Sequence, residues 1–378
     1  MAIRFRTLAA ASFIVPLAMM AGCSANQVPA APAGTALAPG GGHGTIPSSP
    51  APAAVSLTET GSTLLYPLFG AWASAYHQQF SSVSFTTAPT GSGTGIADAS
   101  SGHADIGASD AFLSSGNLVQ NPSLLNIPLA IAAQQINYNL PHLAQGVHVR
   151  LNGAVLAAMY EGKITSWNDP AIARLNHGIS LPAIRVVPLH RAESSGDTFL
   201  FTSYLSTDDA HWNSAIGYGT TVAWPHAAGA RGEEGNSGMT TGCAATPGCV
   251  AYIGISYLSQ ALNAGLGEAA LQNAAGKFTL PTGPSLRAAV ATFVPATPAN
   301  ETISMVNGPA QTGYPIVNYE YAIVTRTQQS AAKARDIKAF LHWAITTGNA
   351  ARFLDRVRFE PLPQPVVELA DAQIASIR

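Results

Sequence analysis

The stretch IRVVPLHRAESSGDTFLFTSYL, residues 184–205, lays out the fold in three steps. Residues 184–189 are apolar and β-branched, the composition of a buried strand. Residues 190–197 form a polar loop rich in Ser and Gly, and residues 198–205 return to apolar side chains at helical spacing. Strand, small-residue loop, helix is the repeating unit of α/β folds. The same order occurs twice upstream. Val55-Ser56-Leu57 leads into Gly61-Ser62-Thr63-Leu64, and then Leu64, Leu65, Leu68, Phe69, Trp72, Ala75, Tyr76 and Phe80 recur at helical spacing, with Pro67 tolerated in the first turns. Residues 83–87 run as a strand into Thr90-Gly91-Ser92-Gly93-Thr94-Gly95, and after a short helix residues 105–109 form a strand that ends at Asp110. Near the C-terminus, residues 332–353 read as a helix broken at Gly348. The pattern predicts an α/β protein with mostly parallel sheets covered by helices.

The loops of these three units carry the chemistry. A helix N-terminus leaves backbone N–H groups without partners, and the helix dipole places partial positive charge there. A small tetrahedral anion answers both needs. Glycine lets backbone approach closely, and Ser and Thr hydroxyls add donors. Arg191 brings a planar, charged fork suited to oxyanions. A single such loop is usually just a helix cap. Three together point to anion binding. None is a nucleotide fingerprint, since the 91–95 loop fits neither G-x-G-x-x-G nor the P-loop pattern.

The 378 residues leave room for two lobes, each with its own core. An apolar run at residues 7–21 follows Arg4 and Arg6 and ends in Met20-Ala21-Gly22-Cys23. That layout predicts a signal peptide over residues 1–22. Small residues before a cysteine resemble the lipobox of bacterial lipoproteins, which makes Cys23 the expected site of acylation. Residues 23–54 are dominated by Ala, Pro, Gly and Ser and read as a tether. The formal net charge is −2, and losing Arg4 and Arg6 makes it about −4, which argues against a nucleic-acid partner. Cys243 and Cys249 have no ligand partners at zinc spacing, and in an exported chain they are expected to form a small-loop disulfide. The ten histidines form no ligand cluster, so neither metal nor cofactor is expected.

On these motifs the chain resembles the PstS family, the phosphate-specific binding proteins of bacterial ABC importers, in its mycobacterial-type lipoprotein branch. The matching stretches are Gly61 to Leu64, Thr90 to Gly95, Ile106-Gly107-Ala108-Ser109-Asp110, Arg191 to Asp197 with the helix after it, GKITSWNDP at residues 162–170, and the terminal FLHWAITTGN and PLP. The resemblance implies a type II periplasmic-binding-protein fold, with two lobes joined by crossing hinge strands near residues 134–140 and 314–319. Lobe I would comprise residues 55–135 and 317–378, and lobe II residues 136–316. It further implies a monomer, lipid-anchored on the outer face of the cell membrane, that delivers inorganic phosphate to permease subunits. Carried over by motif, the phosphate ligands would be Thr63, Leu64, Ser92, Asp110, Arg191, Ser195 and Gly196. Asp197 stands where the enterobacterial form has threonine; the mycobacterial-type Ser-Gly-Asp lets it face the ligand, and the alternative is that it caps the helix beginning near Thr198. An ionised aspartate only accepts hydrogen bonds, so Asp110 would admit a protonated oxyanion and reject sulfate. With Asp197 also facing the ligand, both protonation states of phosphate would be accepted.

Three other readings compete, one of them a purely adhesive surface lipoprotein, which would leave the three anion loops unexplained. A phosphatase or serine hydrolase would use Ser92 or Ser195, yet no G-x-S-x-G elbow surrounds either. A binder of another oxyanion would keep the fold and change the selectivity. Trp72, Tyr76 and Phe80 read as core, Trp167 to Pro170 as a turn and helix start, and His190 as loop packing.

Overall fold

The computed structural model describes residues 54–144 and 146–378. The expected signal peptide, Cys23 and nearly all of the tether lie outside the described residues. In chain order the elements are β1 (Val55–Gly61), α1 (Tyr66–Gln79), β2 (Val83–Ala88), α2 (Ser92–Ser101), β3 (Ile106–Ser109), α3 (Ser115–Gln120) and β4 (Leu124–Tyr138). There follow β5 (Arg150–Leu151), α4 (Gly153–Tyr160), α5 (Pro170–Leu175), β6 (Val187–Arg191), α6 (Gly196–Asp208), α7 (Ala210–Ala215), β7 (Arg231–Glu233), α8 (Gly235–Ala244) and β8 (Cys249–Gly254). The chain closes with α9 (Leu258–Asn263), β9 (Gly267–Glu268), β10 (Ala270–Gln272), β11 (Phe278–Thr279), α10 (Gly283–Ala291), β12 (Val317–Thr325), α11 (Ala331–Ile345), α12 (Ala351–Leu354) and α13 (Gln364–Ala375).

One strand joins the two halves of the main sheet, whose order is β2-β1-β3-β12-β4-β8-β6-β7. All fifteen residues of β4 are buried, as a near-continuous apolar strand covered on both faces must be. Its residues 124–133 pair antiparallel with β12, and from Gln134 onward it pairs with β8 and β9. The change of partner falls between Ala133 and Gln134. On one side β1 runs parallel to β2 and β3; on the other β6 runs parallel to β7 and β8. The carboxyl ends of β1, β3, β6 and β7 open into loops that meet at the seam, the usual place for a ligand in an open α/β sheet.

Ser195 decides where α6 begins. Its hydroxyl accepts the Asp197 N–H at 3.1 Å, so the helix starts at Gly196, two residues before the apolar periodicity. The strand before it is displaced too: pairing of Val187 with Cys249 sets β6 at Val187–Arg191 rather than at residues 184–189. Trp72 and Tyr76 are both buried in the core, Trp72 beside Phe69 and Tyr76 against Phe340 and Trp343 of α11. Phe80 corrects the expectation, being 41% exposed just past the end of α1 while its ring stays against Tyr76. The helical break near Gly348 is real and serves packing, because the Trp72 indole N–H donates to the Gly348 carbonyl at 2.9 Å. The Sγ atoms of Cys243 and Cys249 are 2.07 Å apart, at bonding distance, and tie the end of α8 to the start of β8. That holds α8 in place, and its other end reaches the seam.

Glu59 is the sheet's odd member. It sits on β1, buried, with neither carboxylate oxygen partnered among the described residues, and burial pushes its pKa up to about 8. Raised above its unfolded value, the group favours folding when protonated, so its contribution is lost as pH climbs from about 4.5 toward 8. Glu59→Gln should match the wild type in urea unfolding near pH 4.5 and exceed it by about 3 kcal/mol at pH 7. Equal stability at both pH values would contradict this.

Candidate functional site

Asp110 follows β3 directly and is almost completely buried. Two hydroxyls hold its carboxylate: Ser62 donates to Oδ1 in a short contact, and Ser92 donates to Oδ2 at 3.2 Å. Ser62 also accepts the Leu65 N–H at 2.9 Å, so it caps the turn that becomes α1. Ser92 opens α2 and accepts the Asp110 N–H at 3.1 Å. The N–H groups of Thr63 and Leu64, first in their turn, have no acceptor among the described residues. Asp110 therefore lies between two helix starts. Burial raises its pKa, opposed by Glu320, Ser62, Arg191 and Ser92.

Across the seam, Arg191 ends β6 with a fully buried side chain. Its Nη1 donates to Asp197 Oδ2 at 2.5 Å, while Nε at 2.8 Å and Nη2 both donate to Glu193 Oε1. Three of its five N–H groups are thus engaged, leaving two. Asp197 is fully buried in the first turn of α6. Besides Arg191 it accepts from Asn236 Nδ2 at 2.7 Å and Gln134 Nε2 at 3.0 Å. Burial and the Asp110 charge hold its pKa above the usual carboxylate range, against the pull of Arg191. Ser195 spends a lone pair on the cap and keeps its hydroxyl proton, and the Gly196 N–H has no acceptor among the described residues.

The two sides touch. Asn236 Nδ2 bridges Thr63 Oγ1 at 2.8 Å and Asp197, while its Oδ1 takes the Gly254 N–H at 2.6 Å. A Cβ on Gly196 would stand 2.6 Å from both Asp110 Oδ2 and Ser92 Oγ, so no other residue fits there. The glycines of the 91–95 loop serve the same approach: the Gly93 N–H donates to the Ser194 carbonyl at 3.1 Å, and a Cβ on Gly91 or Gly93 would strike Ser194. Sequence reading gave those glycines to an anion; here they admit the opposing backbone. The structure brings together the expected phosphate-ligand residues, with Leu64 contributing main chain whose carbonyl accepts the Ser256 hydroxyl at 2.8 Å.

The helix starts at Ser62, Ser92 and Ser195, converging with a guanidinium on a buried aspartate, are joined by comparisons over the whole folded region. Residues 47–347 match the family model described as a PBP superfamily domain. The phosphate-binding protein PstS of Pasteurella multocida is 33% identical over 85% of this chain and 90% of its own length. The chain belongs to the PstS family of phosphate-binding proteins. Phosphate-binding protein PstS 3 of Mycobacterium leprae is 29% identical over 82% of this chain and 83% of its own. The crystal structure of a phosphate-binding protein from Stenotrophomonas maltophilia superposes with a TM-score of 0.66 at 20% identity, covering 84% of this chain and 94% of that one, which establishes the shared fold. PstS proteins are transport binding proteins, not enzymes.

Within this PstS chain, sequence reading missed Ser62, Glu193, Asn236 and Glu320. Asn236 lies in the first turn of α8, a fourth helix start at the seam, which no strand-like run announces because β7 is only three residues long. Glu193 lies in the quoted loop, yet its role as clamp on Arg191 needs the third dimension. A cavity of about 480 Å³ beside the site is lined by Thr63, Thr90, Glu193, Asn236 and Tyr257, among others. A larger one, about 530 Å³, lies around Tyr138, His148 and Glu268 and contains none of these residues.

Proposed function

We propose that this protein binds inorganic phosphate at the seam and delivers it to the permease subunits of an ABC importer. The observation that carries this reading is the pairing of oriented donors with one acceptor: helix-start N–H groups, the Thr63 and Ser195 hydroxyls and two remaining Arg191 N–H groups on one side, Asp110 on the other. The donors take up the oxyanion's charge and Asp110 takes its proton. Asp197 has three of its four acceptor positions filled, so one is left for a second ligand proton. Both the monobasic and dibasic forms are then bound. Residues 55–135 and 317–378 act as one lobe and residues 136–316 as the other, hinged where β4 changes partners and where β12 begins. Export, acylation of Cys23 and a monomeric state on the outer face of the cell membrane complete the assignment.

Calorimetry on phosphate-stripped protein tests it. Phosphate and arsenate, both protonated near neutral pH, should bind and compete, and sulfate should not. Equal affinity for phosphate and sulfate would refute the role given to Asp110, and no phosphate binding at all would refute the assignment.

A further inference from the structure

Glu320 sits on β12 behind Asp110, fully buried. The register of β12 against β4 shifts between Glu320 and Tyr321, where Leu129 of β4 is left unpaired, the kind of irregularity that re-aims a side chain beside a site. Asn318 Nδ2 donates to Glu320 Oε1 at 2.8 Å. Glu320 Oε2 lies 3.4 Å from the Ser62 hydroxyl, the same hydroxyl that contacts Asp110 Oδ1. A serine has one proton to give. Two carboxylates sharing one hydroxyl cannot both be ionised so deep in the protein. The nearest cation, Arg191, is already shared by Asp197 and Glu193. A proton must therefore reside on the pair.

We propose that Glu320 carries that proton and donates it to Asp110, which keeps Asp110 an ionised, acceptor-only group and so sets the site's selectivity for protonated oxyanions. The division follows from the surroundings. Asp110 has two hydroxyl donors and its share of the Arg191 charge. Glu320 has one amide donor and faces the negative charges of Asp110 and Asp197. Both comparisons put the charge on Asp110. A protonated Asp110 would turn donor and let a proton-free anion such as sulfate into the site. Glu320 is a positioning residue in this account, acting on the ligand through Asp110.

The inference about selectivity rests on the phosphate reading above, so the test has an arm independent of ligand. Phosphate-stripped wild type, E320L and E320Q are titrated with phosphate and with sulfate from pH 5.5 to 8, with thermal melts as a folding control. In E320L, loss of the donor should weaken phosphate binding about ten-fold or more and admit sulfate at pH 5.5, with sulfate binding fading toward pH 8. E320Q, whose amide can still donate to Asp110, should rescue both properties. Wild-type behaviour in E320L, or equal damage in E320Q, overturns the proposal. Infrared difference spectra of wild type minus E320Q at pH 7, without ligand, should contain a protonated-carboxyl C=O band. Its absence overturns the proposal even if E320L does not fold or phosphate does not bind.

Discussion

Arg191→Met is expected to weaken phosphate binding by about 10²–10⁴-fold and to destabilise the ligand-free fold at the same time. The binding loss follows from removing the site's one guanidinium from a buried, charge-assisted contact, worth about 2–5 kcal/mol. The stability loss has a separate origin. Asp197 is fully buried and takes its 2.5 Å contact from Arg191, and Glu193 takes two further contacts from the same group. Removing one partner of a buried pair strands the other and costs about 3–5 kcal/mol. The pH dependence separates this from lost packing. Without Arg191 the Asp197 pKa moves further above its unfolded value, so the folded protein retains a proton that the unfolded chain gives up. Stability then falls as pH rises from about 4 through the raised value. The deficit of R191M in urea unfolding should be small near pH 4.5 and largest above pH 7. Adding Asp197→Asn should recover much of the stability at pH 7 and none of the binding. A deficit that is the same at all pH values would mean that the methionine simply packs badly.

What the sequence discloses about the site is local. Asp110, Ser92, Arg191 and Ser195 each stand at the end of a strand or the start of a helix, and those boundaries are written in short runs of Gly, Ser and apolar residues. Ser62 lies in the same motif as Thr63, and nothing in a linear reading tells which of the two hydroxyls turns back toward β3. Glu320 and Asn318 did leave a signal: polar residues two apart within the apolar strand VNYEYAIV. Glu59 in VSLTETG left the same one. A buried strand interrupted by a carboxyl at the alternating position marks either a site or a strained core, and here the two cases differ in partners. Glu320 finds Asn318 and reaches Ser62, while Glu59 finds none among the described residues. Asn236 could not be placed in advance, since its importance comes from linking Thr63, Asp197 and Gly254, which lie 173, 39 and 18 residues away in sequence.

Asp110→Asn should change what the site excludes more than what it binds. A site built around one hydrogen bond to its ligand rejects an analogue lacking the proton by roughly 10⁴–10⁵, and this margin rests on Asp110 having no proton of its own to give. Asparagine keeps the shape and keeps one oxygen to accept from Ser62 or Ser92, but brings an NH₂ that can donate to an unprotonated oxygen. It also removes a negative charge beside the anion. Sulfate, previously opposed by an unpaired buried acceptor and by like charge, then meets a donor. Phosphate loses a strong charge-assisted bond and gains relief from repulsion, two effects of opposite sign and similar size. The expected result in paired titrations is a phosphate affinity changed by about ten-fold or less and a phosphate-to-sulfate ratio reduced to about 10² or below. Ser62 and Ser92 donate to different oxygens of Asp110, so the new amide's oxygen can replace only one of those acceptors and its NH₂ takes the other position. If D110N excludes sulfate as strongly as the wild type, selectivity resides elsewhere in the web and the carboxylate is only a structural acceptor for Ser62 and Ser92.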